Sequence, residues 1–568
     1  MITKVGRENL IRNSRWTTAA AVVSLDLTLG GGAVVHAREI GTRTASVPVN
    51  PFLARSATPI SHRNSAQQNA SRIPGPAGPT ATLAENQLDW RFLGPGHYGA
   101  VLSSVEKDGR RVLWSNGAET IAKLDAETFE VLAQLPLIPE GRFTQAEAAT
   151  ELNRVYAAPD AEQADLAFKL RMRMLKSNSG AGVYAMIDKD GNFYVSSRTG
   201  VTIYGDAVPG DSRSPIVVRR QWTKPDDVGG VLMGMNMTYD GRVILVSTAG
   251  DVIALSRNLD DMQRIKMRHS EDRDAYMARV RDRTGGEEGM GWMRNSFAVD
   301  PQGGIYIISA GYMHKVVWTG KKLSTAEADG AWSEPYRDGR GLGSGSTPVL
   351  MGFGPKDDRL VVFTDGDNVM NVTAYWRDAI PQGWTPPPGA PSRRLAGFAR
   401  ADMGDPSKKA VQTEQATVVG DYGAIVVDNE PAAVPAGLPA KGWQVMFSFL
   451  GNDPRYAPHG MQKFEWDPVA KKMKLAWTNR TISSPNAVPF ISLASGLVYT
   501  IGARGGKWTL EGVDWKSGRS SFHYILPSNN FNAMGAGVQQ DDHGNIVYGT
   551  PFGKARIPLK LSVAKMQP

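Results

Sequence analysis

One pattern recurs along this chain at intervals of roughly fifty to seventy residues: a short apolar run, a turn centred on Asp and Gly, and a second β-rich run. Asp188-Lys189-Asp190-Gly191-Asn192-Phe193-Tyr194-Val195 carries it most completely. Asp240-Gly241-Arg242-Val243-Ile244-Leu245, Asp300-Pro301-Gln302-Gly303-Gly304-Ile305-Tyr306 and Asp542-His543-Gly544-Asn545-Ile546-Val547-Tyr548 repeat it. Reduced copies stand at Lys107-Asp108-Gly109, Asp357-Asp358, Asp421-Tyr422-Gly423 and Ser495-Gly496. Tight hairpins at a steady period, each too small to bury its own apolar face, mark the two inner strands of successive β-propeller blades. The expected fold is all-β, a single seven- or eight-bladed β-propeller with helical insertions and a disordered N-terminal leader. With 61 Gly and 35 Pro in 568 residues, the composition also favours short strands and turns over long helices.

The strand pattern separates the blades. Val101 to Val105, Arg111 to Ser115, Thr120 to Leu124 and Val131 to Leu137 supply the four runs of a first blade. The last repeat, from Gly535 to about Leu561, offers three, and a strand near Trp90 is expected to supply the fourth and close the ring. The propeller is placed at 87–561, with a short C-terminal tail at 562–568. Two segments, about 143–177 and 260–286, read as helical inserts. The first opens on the capping-box spacing Thr144-Gln145-Ala146-Glu147, and the second alternates acids and bases around Met262, Ile265, Tyr276 and Val280.

At the N-terminus, Lys4, Arg7, Arg12 and Arg15 precede an apolar stretch and then Val35-His36-Ala37, the order of a secretory signal. Residues 1–37 are read as a signal peptide and the protein as periplasmic or secreted. Asp26 and Gly30-Gly31-Gly32 interrupt the apolar stretch, so no stable membrane insertion is expected. Residues 38–86 are rich in Ser, Thr, Asn and Pro and read as a disordered linker. Cleavage after Ala37 removes four cations and two acids, lowering the net charge from +8 to +6. With no basic stripe interleaved with aromatics, no nucleic-acid partner is expected. The absence of cysteine excludes thiolate catalysis, Cys-ligated zinc and disulfides.

Propeller topology brings the residues before each innermost strand and after each return strand to the rim of the axial opening. Asp365, Asp367, Glu414, Asp428 and Glu430 thereby fall in one sector, with the hard oxygen donors that Ca²⁺ prefers. Asn236 and Asn295 are further candidate ligands, and Arg198 and Arg504 candidate anchors for an anionic substrate. His97 is the one histidine at a ring position, which argues against a multi-histidine iron or copper site. Glu414, Asp365, Asp428, Arg198, Arg504 and His97 are the candidate catalytic residues. The competing reading is structural: Asp and Asn after a strand also cap turns by bonding their own backbone.

Leu124-Asp125-Ala126-Glu127-Thr128 and Val513-Asp514-Trp515-Lys516-Ser517-Gly518 resemble the outer-strand turns of the exported bacterial PQQ-binding-like, or quinoprotein-like, propellers. Ser344-Gly345-Ser346-Thr347-Pro348-Val349-Leu350-Met351-Gly352 with Thr364-Asp365-Gly366-Asp367 resembles a poorly characterised exported subgroup of them. The resemblance spans roughly residues 90 to 560, and its motifs are structural. In the family's alcohol dehydrogenases the quinone lies between a Trp platform and a vicinal disulfide, with Ca²⁺ held by Glu, Asn and Asp. The disulfide is impossible here, which weighs against PQQ as the cofactor. Three readings follow: an enzyme of hydrolase or lactonase type acting on a small organic substrate at a Ca²⁺-binding or carboxylate site, a non-catalytic ligand-binding or assembly scaffold, and a PQQ-dependent dehydrogenase lacking the disulfide.

Overall fold

Each Asp-Gly turn joins two adjacent antiparallel strands of its own sheet, and the described residues form eight such sheets, the seventh extended by the short parallel strands Ala70–Ser71 and Ala81–Thr82. This computed structural model describes residues 44–176, 184–284, 291–435, 438 and 448–561; the expected signal peptide and C-terminal tail lie outside these residues. The turns are built by buried carboxylates. Asp188 accepts the backbone N–H of Asp190 and of Asn192 at 2.9 Å, and its other oxygen accepts from the Asn192 amide and the Tyr194 hydroxyl. Asp300 takes N–H groups from Gln302 and Gly304 and the hydroxyl of Tyr306. In the last copy the capping residue is Asp541, one position before the Asp of the sequence pattern. Gly191, Gly303 and Gly544 take the left-handed conformation inside these turns, where a side chain is costly.

Blade 1 has strands Val101–Val105, Arg111–Asn116, Thr120–Asp125 and Val131–Pro136. The strand Asp89–Phe92 pairs with Gly553–Ile557 and becomes the outermost strand of blade 8, so the two ends of the propeller share one sheet. Lysines on the third strands fasten blade to blade. Lys123 of blade 1 is fully buried against Asp206 and the Ser214 carbonyl of blade 2, and Lys554 of blade 8 donates to the carbonyls of His97 and Gly99. Apolar clusters fill the spaces between neighbouring sheets, as with Val362, Trp376, Phe464 and Trp466 between blades 5 and 6.

The segment expected to be a disordered linker is, from residue 44 onward, an ordered part of the propeller. It passes over the turn face first: Ala45 N–H donates to Asp357, Pro48 O accepts from Tyr239, and Ala54 N–H donates to Ile187 O. It then makes a tighter circuit inside the ring. Ser61 N–H donates to Ala185 O of blade 2, and Val299, Leu350, Val419 and Ile491 of blades 4 to 7 donate in turn to the carbonyls of Ser65, Ala66, Gln68 and Asn69. Asn236 of blade 3 donates to Ser65 O, Leu102 N–H of blade 1 to Thr58 O, and the Thr58 hydroxyl to Gln540 O of blade 8. One segment thus bonds the innermost strand of every blade. Backbone hydrogen bonds fix its course, while Leu53, Ile60 and Ala66 are buried in the apolar clusters of the blades.

The first helical insert is present as α1 (Gln145–Tyr156) and α2 (Asp160–Lys176), and Thr144 with Glu147 forms the capping box. The second is helical only in part. Met262–Lys266 is the outer strand of blade 3, exposed and half-buried residues alternating along it, and α3 begins at Arg273 and runs to Thr284. A period of two was hidden there by charged residues, which suit a solvent-facing edge as well as a helix.

Candidate functional site

The circuit from residue 61 to 71 divides the axial space. On one side lies a cavity of about 240 Å³ whose floor is Ser61, His62 and Asn69, and whose wall comes from the loops that lead into the innermost strands. The polar wall groups are Tyr98 and Tyr184 with Arg294, Asn295, Glu414 and Gln539. On the other side a cavity of about 250 Å³ opens toward the Asp-Gly turns, lined by Arg63, Asn64, Ser71 and Asp421 among others. The two cavities share no lining residue.

Within the first cavity the Arg294 guanidinium, 9% exposed, stands 3.4 Å from the Glu414 carboxylate and donates to Ser344 O at 3.2 Å. Burial lowers the basicity of Arg294, but Glu414 and the nearby tyrosines and Asp338 outweigh it and hold the proton more tightly. Asn295 is fixed by donating to the same Ser344 carbonyl. Gly345 is a wall residue that admits no side chain, since a Cβ there would lie 2.1 Å from Thr413 O. His62 comes from the N-terminal segment in a left-handed conformation (φ 58°), with its ring 5.9 Å from that of Tyr184. Burial pulls its pKa down to about 4, so it is neutral at pH 7. Burial likewise raises the Tyr184 hydroxyl above its ordinary range. The helical hairpin packs over this side: Leu152, Val155 and Leu170 share an apolar cluster with Met534, Phe449 and Tyr98. Tyr98 belongs to both the cluster and the cavity wall.

Of the residues selected from sequence, Glu414 and Asn295 reach this cavity. The others follow their turn positions into structural roles. Asp365 is 1% exposed and accepts the backbone and side-chain amides of Asn371 and the N–H of Asp367; burial pushes its pKa up to about 7. Asp367 accepts from Gly339 N–H. Asp428 is paired with Lys408 at 2.6 Å and Glu430 stands 3.8 Å from Arg340. Asn236 is fully buried, its amide shared between Ser65 O and Phe297 O at 2.9 Å each. Arg504 makes a two-pronged pair with the buried Glu511 inside the blade 7 sheet, and Arg198 is exposed on a turn. His97 is fully buried, bonded to Ser115, Thr120 and Leu93 O, with burial and Lys554 holding its pKa at about 3.

The acidic sector does not converge into one donor set. Among the described residues, no group of three or more His, Asp or Glu comes close enough to hold a metal ion. The cavity's one arginine is already matched by Glu414, which suits neither Ca²⁺ nor a quinone bearing several carboxylates. His62, Tyr98 and Tyr184 were missed from sequence. The first lies in a segment read as linker, and the tyrosines sit in loops whose approach to the axis depends on the turns before them.

No known family profile matches the chain. It is 29% identical over 524 residues, 90% of this chain and 89% of the other, to an uncharacterized protein of Archaeoglobus fulgidus. Among solved structures, the quinohemoprotein alcohol dehydrogenase of Comamonas testosteroni matches 89% of this chain and 78% of its own at 12% identity and a TM-score of 0.49. The enzyme ADHIIG of Pseudomonas putida HK5 matches 92% and 82% at 12% identity and a TM-score of 0.48. BamB from Moraxella catarrhalis matches 66% of this chain and 94% of its own at 10% identity and a TM-score of 0.33. Among the described residues no helix is long and apolar enough to cross a membrane.

Proposed function

We propose that this is an exported propeller that binds a small, hydrogen-bonding organic molecule of low net charge in the axial cavity. The observation that carries the reading is the internally balanced lining of that cavity. Arg294 and Glu414 cancel in charge yet offer donors and acceptors, and Tyr98, Tyr184 and neutral His62 supply flat apolar surface with polar edges. Such a lining suits a polyol, sugar, lactone or amide over a multiply charged ion. Export is supported by the basic, apolar, small-residue order of residues 1–37. Cleavage after Ala37 spares every described residue.

A hydrolytic step is the second reading, favoured by Glu414 lining the cavity beside Arg294. In that case Glu414 takes a proton from water as the water oxygen bonds the lactone carbonyl carbon, Arg294 steadies the oxyanion, and as the oxyanion collapses the ring C–O bond breaks and the leaving alkoxide takes the proton back from Glu414. The test is calorimetric titration of the mature chain with neutral sugars, polyols, lactones and amides up to about 1 mM, the weak end of specific binding. Saturable binding that drops at least tenfold in Arg294→Gln and Tyr184→Phe supports the cavity as the site. Equal affinity in both variants, or no binding across the panel, ends the proposal. Turnover of a bound lactone that disappears in Glu414→Gln separates the enzyme from the binding module.

A further inference from the structure

We propose that the second cavity, on the turn face of the N-terminal segment, is a binding site for a small oxyanion, with Arg63 as its anchor. This stands independently of the axial-cavity reading. Arg63 sits at the tightest part of the segment, where His62, Arg63, Gln67 and Asn69 all take left-handed backbone conformations (φ 58°, 76°, 63° and 51°). Four non-glycine residues in such conformations within eight positions are held there only by surrounding structure, and strain of this kind concentrates where a ligand is gripped. Arg63 lines the 250 Å³ cavity, and its Nη1, buried away from the cavity space, has no hydrogen-bond partner. A guanidinium with no carboxylate bonded to it carries its charge to the cavity it lines and favours an anion there.

The neighbouring carboxylates are committed elsewhere. Asp421 is paired with Arg72 at 2.8 Å and also accepts from Thr44 N–H. Asp542, whose charge favours the protonated Arg63, lies 2.9 Å from Arg111 and accepts from Ala57 N–H. Asp357 accepts from the N–H groups of Ala45, Phe353 and Gly354. The charged groups lining the cavity, Arg63, Arg72 and Asp421, therefore sum to +1. Burial brings the Arg63 pKa down to about 10, so the guanidinium stays protonated at neutral pH. Asn64, whose carbonyl oxygen accepts from Gln68 N–H at 3.2 Å, presents a side-chain amide to the same cavity as a second donor. A planar guanidinium beside a side-chain amide matches a carboxylate, phosphate or sulfate, which a guanidinium grips through two parallel bonds.

The experiment follows thermal unfolding of the mature protein while phosphate, sulfate, acetate and chloride are titrated separately at matched ionic strength. A bound anion raises Tm along a saturating curve, whereas general salting effects of sulfate and phosphate rise without saturation. The expected result is saturation with phosphate and sulfate, or with acetate, and none with chloride. Saturation by the tetrahedral ions alone assigns a phosphoryl or sulfuryl group; saturation by acetate assigns a carboxylate. Arg63→Gln should abolish the saturating part and raise the anion-free Tm by removing an unmatched charge. If that variant does not fold, Arg63→Lys keeps the charge but not the two-pronged grip, and the midpoint concentration should rise at least tenfold. Identical curves for all four salts, or saturation unchanged in the folded variant, overturn the assignment.

Discussion

Histidine buried beside hydroxyls is chemically quiet, and His97 shows why a ring position does not make a catalyst. Its ring nitrogens are taken by Ser115, Thr120 and Leu93 O, and a proton has no counter-charge to meet. The folded pKa of about 3 lies below the ordinary value, so His97 favours folding above about pH 6.5 and this contribution is lost as pH falls toward 3. His97→Ala should cost about 3 kcal/mol at neutral pH, from the void and the orphaned hydroxyls, and should flatten the acid limb of the stability curve measured by urea unfolding. Asp365 works in the opposite sense. Its folded pKa of about 7 lies above the unfolded value near 4, so its contribution is present below pH 4 and is lost as pH rises to 7. Asp365→Asn should remove that decline between pH 4 and 7 in the same measurement. Both residues were located in sequence by their place relative to a strand. What that place does could not be read, because it depends on which backbone groups the next turn leaves unpaired.

At the level of elements, the hairpins were legible and the N-terminal segment was not. Asp, Gly and alternating Val, Ile and Tyr report a β-turn locally, and the four strands of blade 1 fall within about a residue of their expected bounds. The segment from 44 to 74 carries no such signal. It satisfies its backbone on eight strands far away in sequence, and its left-handed positions are His, Arg, Gln and Asn instead of Gly. Asn236 tests this element: it was selected as a metal ligand and instead ties the segment to blades 3 and 4. Asn236→Ala should cost about 1–3 kcal/mol by taking the amide donor from Phe297 O and one of two donors from Ser65 O, and should speed proteolysis within residues 44–74 more than within the blades.

For the whole molecule, eight blades close because the first strand completes the last sheet, and Arg556 is the fastening. Its guanidinium bonds Asp89 on the first strand and the carbonyls of Ala126 and Glu127 in blade 1, at 2.7 to 2.8 Å. Arg556→Gln should destabilise by about 3 kcal/mol, since it leaves Asp89 and two carbonyls partly unmatched, and should appear mainly as faster unfolding. The repeat period gave the ring in advance, and the spare strand at Trp90 predicted how it shuts. The axial site was less legible, because it is assembled from single residues contributed by loops of many blades and by a segment outside the repeats.

That segment also sets an order of events in time. In a chain synthesised from its N-terminus, residues 44–74 emerge before the blades, yet their partners include Gln540 of the last blade. Such long-range contacts are slow to form, so the earliest part of the chain must wait, exposed, until nearly all the rest has arrived. Its polar, proline-punctuated composition, which offers little for a passing chain to stick to, equips it to wait.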